Sequence, residues 1–364
     1  MKNHISLFIF AIALLSGPVS ANDLSMTAVK DTLASIPGEH NYIYVRTPLG
    51  EDEEKNYDEI TFYDGLGREL DFAQSYGADR AGAIMAHHHL IEYDSLGRKE
   101  KQWLSTNTSF SYMSPEDLKG GVLWDYHDAG KRSYLQTNYE SSPLNRITEQ
   151  YGVGDAWGDH PARMEYLTNI PADSLRCSFY FIDDNDSLIR RGDYRSGELQ
   201  VTKATDEDGK PTYTFVDKQG RTLLTRLGRG NQQADTYFVF DRFGRIRYVL
   251  PPMINDEISA GNLDLYAYQY LYDSFGRCIS KKLPGCAAIG YVYDKADRVI
   301  LSQNGNQSQK KEWTFTFYDN QGRLALTGLC SFNDPPSLDN SIVRAYRTTS
   351  EKDGVLHSGY EVEH

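Results

Sequence analysis

YLYDSFGRC (residues 270–278) decides how this chain is read, because its centre is written again and again along the sequence. The copies are YDGLGRE (63–69), YDSLGRK (93–99), VDKQGRT (216–222), FDRFGRI (240–246), YDSFGRC (272–278), YDKADRV (293–299) and YDNQGRL (318–324). From 216 onward they follow one another at about 21 to 32 residues. Self-similarity at such a period marks a repeat architecture. A degenerate relative is expected at DYHDAGKR (125–132).

Each copy has local chemistry. Asp is favoured at the first position of a type I turn because its carboxylate accepts backbone N–H bonds, and Gly at the fourth because it enters positive φ without steric cost. A type I turn followed by a left-handed Gly is a hairpin loop with a bulge. The tips are therefore assigned to Asp64 and Gly67, Asp94 and Gly97, Asp217 and Gly220, Asp241 and Gly244, Asp273 and Gly276, and Asp319 and Gly322. At Asp294 the fourth position is Asp297, which tolerates the left-handed region better than most residues. An arginine follows every tip: Arg68, Arg98, Arg221, Arg245, Arg277, Arg298 and Arg323. Turn chemistry does not explain it, and a stacking or salt-bridge role between adjacent hairpins is expected.

The flanks read as strands. RIRYVLPP (245–252) sets Ile246, Tyr248 and Leu250 against Arg245 and Arg247; YAYQYLY (266–272) sets Tyr266, Tyr268, Tyr270 and Tyr272 on one face; WTFTFYD (313–319) alternates likewise. With Tyr 26, Phe 15 and Trp 4, the composition favours half-buried strands. The expected fold class is all-β: repeated hairpins in a curved or spiralling antiparallel sheet. Only a short helix, over MTAVKDTLASI (26–36), is expected beyond the leader.

Length alone, at 364 residues, permits one large domain or several. The formal charge of −13 repels phosphate backbones and anionic lipid, so nucleic acid is not an expected partner. The acidic run GEDEEKNYDE (50–59) is expected as a solvated loop. Residues 1–21 carry Lys2, an apolar core from Ile5 to Leu15, and small residues ending at Ala21, the pattern of a secretory leader cleaved after Ala21. No later stretch approaches a transmembrane length. Export to the periplasm, cell surface or exterior permits disulfides among Cys177, Cys278, Cys286 and Cys330, with Cys278 and Cys286 the candidate pair across KKLPG (281–285).

Other clusters carry little chemistry. His87-His88-His89 would alternate across a strand, so at most His87 and His89 share a metal, and a connection into LIEYD (90–94) is the simpler reading. DDNDS (183–187) and TDEDG (205–209) lack the spacing of a calcium loop and read as turns. No nucleophile elbow or phosphate loop is present in the sequence, so no enzyme activity and no cofactor is expected. The tyrosines from Tyr266 to Tyr272 form either a binding platform for sugars or another chain, or an inner sheet face; alternation with Ala267 and Leu271 favours the latter.

The copies resemble the YD repeat of the bacterial Rhs and wall-associated proteins, shared with teneurins and the B/C shells of insecticidal toxin complexes. NYIYVRTPLGEDEEKNYDEITFYDGLGRE (41–69) is similar to the domain of unknown function that opens secreted Rhs-repeat proteins. SPLNRITEQYGVGDAWGDHPARMEYLTN (142–169), YVLPP (248–252), LDLYAYQYLYDSFGRCISKKLPG (263–285) and YVYDKADRVILSQNGNQ (291–307) are similar to that family too. The resemblance implies hairpins wrapped into a hollow shell without substrate chemistry, often around a C-terminal toxin. FNDPPSLDN (332–340) lacks the Asp-Pro-x-Gly-Arg pattern of the self-cleavage point, so toxin release does not carry over. The expected layout is a signal peptide (1–21), a short leader segment (22–40), an N-terminal domain with the first copies of the motif (41–175), a repeat sheet (176–330) and a truncated C-terminal tail (331–364). The expected partner is a protein or a downstream shell or toxin polypeptide. A carbohydrate-binding or adhesion module using the aromatic faces is the alternative.

Overall fold

The computed structural model describes Leu33, Ile36 and residues 40–48, 56–78, 84–127, 130–228, 233–352 and 355–363. The expected signal peptide (1–21), most of the 22–40 segment and the short helix over 26–36 lie outside the described residues, apart from Leu33, Ile36 and His40. Contacts divide the chain into two units, residues 1–165 with 205–209, and 166–204 with 210–364. The division falls before the expected boundary at 175, and residues 331–364 group with the second unit.

In the first unit β1 (Asn41–Pro48), β2 (Asn56–Tyr63), β3 (Glu69–Ala78) and β4 (Ile84–Tyr93) form an antiparallel ladder in sequence order. Strand β4 then divides its pairing. Its later part faces β5 (Lys99–Trp103) and its earlier part faces β6 (Thr106–Ser109). Beyond β5 come β7 (Tyr134–Tyr139), β8 (Ile147–Tyr151) and β9 (Ala162–Thr168), each antiparallel to the one before. Period-two alternation places Ile60, Phe62, Ala73 and Ala86 on one face, where they pack with Ile36 and Phe110.

A helix, α1 (Pro115–Asp125), was not expected. Ser114 caps it by accepting the Asp117 N–H at 3.2 Å, Pro115 occupies the first turn, and Leu118 and Val122 are buried. The degenerate relative at 125–132 is not a hairpin tip, because it connects this helix to β7. Of the acidic run, 50–55 lie outside the described residues, while the remainder is corrected: Asn56 to Glu59 belong to β2, and Asp58 is buried because Arg46 grips both its oxygens, at 2.7 and 3.0 Å, and Tyr44 donates to it.

The second unit opens with a hairpin of its own, β10 (Ser178–Ile182) and β11 (Leu188–Asp193), followed by β12 (Gln200–Thr205). A consecutive antiparallel ladder then runs through β13 (Pro211–Val216), β14 (Thr222–Leu227), β15 (Ala234–Phe240), β16 (Ile246–Leu250), β17 (Tyr268–Tyr272), β18 (Cys278–Lys282), β19 (Ile289–Tyr293), β20 (Val299–Gln303), β21 (Glu312–Tyr318) and β22 (Leu324–Ser331). A last hairpin, β23 (Arg344–Lys352) with β24 (Val355–Glu363), touches β21 through one parallel pair, Tyr318 with Arg344. Short helices α2 (Ala260–Tyr266) and α3 (Gly305–Lys310) sit between β16 and β17 and between β20 and β21.

Hairpin β10–β11 lies on the sheet. Cys177, Tyr180 and Leu188 pack against Phe215, Leu224, Tyr237, Val239 and Leu250 in the main core. Arg247, on the face of β16 opposite Ile246, Tyr248 and Leu250, is buried because Asp186, at the tip of β10–β11, closes over its guanidinium in a two-pronged ion pair. A smaller cluster, Ile300, Leu301, Trp313 and Val343, fills the far end. The expected tail thus supplies both a buried core residue and a strand pair. No described helix is long and apolar enough to cross a membrane.

Candidate functional site: the row of hairpin tips

The expected tips are built as the turn chemistry requires. At Asp273 the backbone N–H of Gly276 donates to the Asp273 carbonyl at 3.1 Å, and the Asp273 N–H donates to the Arg277 carbonyl at 3.0 Å. The carboxylate does the rest: Oδ1 accepts from the N–H of Phe275 and of Arg277, at 3.0 and 2.9 Å. Gly276 has φ +87°, while Asp297 adopts φ +58° at the same place in its copy. The ladder slips by one residue beside these tips, between Leu271 and Tyr272 here, which is the expected bulge.

Asp64, Asp94, Asp217, Asp241, Asp294 and Asp319 repeat the pattern, with Gly67, Gly97, Gly220, Gly244 and Gly322 at positive φ. Backbone and guanidinium hydrogen bonds from the arginine hold the carboxyls of Asp64, Asp94 and Asp319 below the usual range. For Asp217, Asp241, Asp273 and Asp294 burial pushes upward, but the bonds from the following arginine outweigh it and the net displacement is downward.

The arginines explain why the motif is longer than a turn. Each turns back to its own tip aspartate; Arg277 Nε donates to Asp273 Oδ2 at 2.6 Å and Arg245 Nε to Asp241 Oδ2 at 2.7 Å. All of them but Arg323 also reach the following hairpin. The guanidinium carbon of Arg68 lies 4.4 Å from the ring centre of Tyr93, that of Arg98 4.6 Å from Tyr139, and that of Arg245 4.7 Å from Tyr272. Arg221, Arg277 and Arg298 each lie 5.0 Å from Phe240, Tyr293 and Tyr318 respectively.

The contact is returned. Tyr93 donates its hydroxyl to the carbonyl of Glu69 at 2.7 Å, Tyr139 to Lys99 at 3.0 Å, Tyr272 to Ile246 at 2.9 Å and Tyr293 to Cys278 at 2.9 Å, in every case the residue after the preceding arginine. Arg98, Arg245 and Arg277 add a bond from Nη1 to the carbonyl of the next tip's acidic residue, at 2.9, 3.3 and 3.1 Å. One arginine and one tyrosine thereby clasp neighbouring hairpins.

Two parts of the row escaped the sequence. The tip between β7 and β8 is built on Glu140, whose carboxylate takes Arg146 Nε at 2.8 Å and Nη2 at 2.7 Å; with a hydrogen bond from Ser142 this pushes the carboxyl down to about 2. Tyr139-Glu140 before an arginine was the available signal, hidden by a longer turn. The second part is the segment 338–343, which runs across the tips. Asp339 pairs with Arg277, the Lys295 N–H donates to the Ser341 carbonyl at 2.9 Å, and Arg298 Nη2 donates to the Val343 carbonyl at 2.7 Å. It buries Asp294 completely.

The remaining expected sites separate. Tyr266 ends helix α2 and leaves the expected face, because the strand begins only at Tyr268. Tyr268, Tyr270 and Tyr272 are half-buried, and Tyr272 is occupied by the clasp. Cys278 and Cys286 are not joined: Cys278 faces Tyr272 within β18, whereas Cys286 lies in the turn beyond it, donating its N–H to the Leu283 carbonyl at 3.1 Å. The histidines lie within β4 rather than in a connection. His88 is the buried one, with Nδ1 2.7 Å from Asp71 Oδ2 and Nε2 3.0 Å from the Ser109 carbonyl. Asp183 and Asp206 accept turn N–H bonds, from Ser187 at 2.8 Å and Asp208 at 3.1 Å, so the acidic segments spend those carboxylates on local structure.

A cleft of about 290 Å³ lies between β10 and the sheet, lined by Phe179, Phe181, Tyr194, Phe240, Arg221 and Asp241 among others. Its Asp241 and Arg221 already serve their tips, through bonds to Arg245 at 2.7 Å and to Asp217 at 2.7 Å.

Residues 41–168 match the family model DUF6443, a domain of unknown function. Among solved structures, the chain is similar to TcdB2-TccC3, with 13% identity and a TM-score of 0.53 over 86% of this chain. It is also similar to TcdB2-TccC3-Cdc42, at 14% identity and TM-score 0.54 over 85%. The chain spans 14% of the length of each of those solved chains. No curated protein matches. The likenesses to solved structures establish the fold.

Proposed function

We propose that this chain is an exported, non-enzymatic wall segment of a carrier-type β-shell, assembled with other polypeptide. The observation that carries the reading is the clasp. The repeated charged and aromatic residues of the motif are spent on joining one hairpin to the next, with the tip carboxylates and arginines directed at each other. Such a row builds surface rather than a reaction centre. Similarity to TcdB2-TccC3 over most of this chain supports the shell reading, and the formal charge of −13 favours a protein partner over nucleic acid.

Co-expression with the polypeptides encoded beside it, followed by electron microscopy of what copurifies, tests the proposal. A hollow particle containing this chain, with its N-terminus at Asn22, is the expected result. A chain recovered alone, uncleaved and turning over a small substrate, would remove it.

A further inference from the structure

We infer that the outer edge of β22 is a docking edge for an incoming Tyr-Asp hairpin, with Arg323 as the waiting half of a clasp. This inference rests on the wall reading and names the chemistry of the partner at one place.

Arg323 has the same turn as its relatives; its Nε donates to Asp319 Oδ2 at 2.7 Å. Its surroundings differ. The side chain is 73% exposed, against 12% for Arg277 and 18% for Arg298, and among the described residues no ring covers it. Leu324 follows it, at the position whose carbonyl receives a tyrosine hydroxyl from the next hairpin at Glu69, Lys99, Ile246 and Cys278. Both halves of an acceptor are therefore present.

The strand behind them has an edge to match. Among the described residues β22 is paired with β21 alone, from Glu312 opposite Ser331 to Tyr318 opposite Leu324. Its sequence, LALTGLCS, contains no charge and no proline, and Leu324 and Leu329 are 62% and 64% exposed. Edge strands that stay unpaired are ordinarily blunted by lysine, proline or a bulge. An apolar, uncharged edge beside an open guanidinium fits strand addition, in which main-chain bonds supply affinity and a side-chain contact sets register. The same junction is already made inside this unit, between β16 and β17 and between β18 and β19. The partner strand runs antiparallel to β22 and ends in tyrosine, or in phenylalanine as at Phe240, before an acidic turn.

The test uses a fluorescent peptide of residues 268–283 carrying Cys278→Ser, titrated by anisotropy into the full chain. Saturable binding is expected, weakened at least tenfold by Arg323→Gln or Leu329→Lys in the chain and by Tyr272→Ala in the peptide, and kept within about threefold by Tyr272→Phe. Melting curves of the chain variants matching the parent secure their folds. No binding, equal binding to Arg323→Gln, or a stable homodimer that Leu329→Lys dissolves would each overturn the assignment. A shell particle unaffected by Arg323→Gln would do so too while leaving the wall reading intact.

Discussion

The guanidinium carbon of Arg277 lies 5.0 Å from the ring centre of Tyr293, and the Tyr293 hydroxyl donates to the carbonyl of Cys278, the residue after Arg277, at 2.9 Å. Two side chains from successive hairpins thus hold each other's backbone. Arg277 also binds Asp273, the Asp294 carbonyl and Asp339, which makes it the most connected of the tip arginines.

Arg277→Gln should therefore cost roughly 2–3 kcal/mol, since it removes charge-assisted bonds and a stacked cation from a largely covered position. Arg323→Gln, at an exposed ion pair, should cost less than about 0.5 kcal/mol. Urea midpoints of the two variants decide the matter. Equal losses would show that arginine acts only within its own turn.

Gly276 and Asp297 occupy equivalent left-handed positions, at φ +87° and +58°. Gly276→Ala should destabilise by about 1 kcal/mol, and Asp297→Gly should stabilise by a few tenths to about 1 kcal/mol. Paired thermal melts would show it; a loss on Asp297→Gly would mean that its 3.3 Å contact with Arg277 outweighs the backbone gain.

Acid should unfold the chain through these same tips. Carboxyls such as Asp273 and Asp94 titrate below their unfolded value of about 3.9, so their contribution is full above that value and disappears as pH falls through the lower folded values. Urea midpoints measured from pH 7 to pH 2 should be flat near neutrality and drop below about pH 4. Asp273→Asn should make the drop shallower. Stability that rises on acidification from pH 5 to pH 3 would contradict this account.

The thiols should react in order of cover. Cys286 is exposed, Cys278 and Cys330 are raised by burial, and burial pushes Cys177 up to about 12. Timed alkylation read by peptide mass should modify Cys286 first and Cys177 last. Recovery of a Cys278–Cys286 cross-linked peptide from the exported protein would restore the pairing that the register argues against.

What could be read in advance was what is local. Asp-x-x-Gly fixes its own turn within five residues, so the tips, their bulges and their flanking strands were legible. Helix α1 was legible too, since Ser114-Pro115-Glu116-Asp117 is a capping signature, but the expectation of an all-β chain hid it. Arg247 and His88 were not legible, because their burial depends on Asp186 and Asp71, partners 61 and 17 residues away. The segment 338–343 was out of reach for the same reason: nothing in its composition announces that it covers Asp294. The tyrosine face failed at Tyr266 because period-two spacing does not reveal where a short helix stops.

The direction of the clasp gives the row a polarity in time. Each covered arginine precedes the aromatic ring that covers it, by 16 to 41 residues in the sequence, so each clasped hairpin is completed by the one that emerges after it. A polypeptide delivered N-terminus first, through a ribosome or a translocation pore, can close the row one clasp at a time without waiting for its far end. The advancing front always shows one uncovered guanidinium, and the next aromatic strand to appear is the group that quenches it.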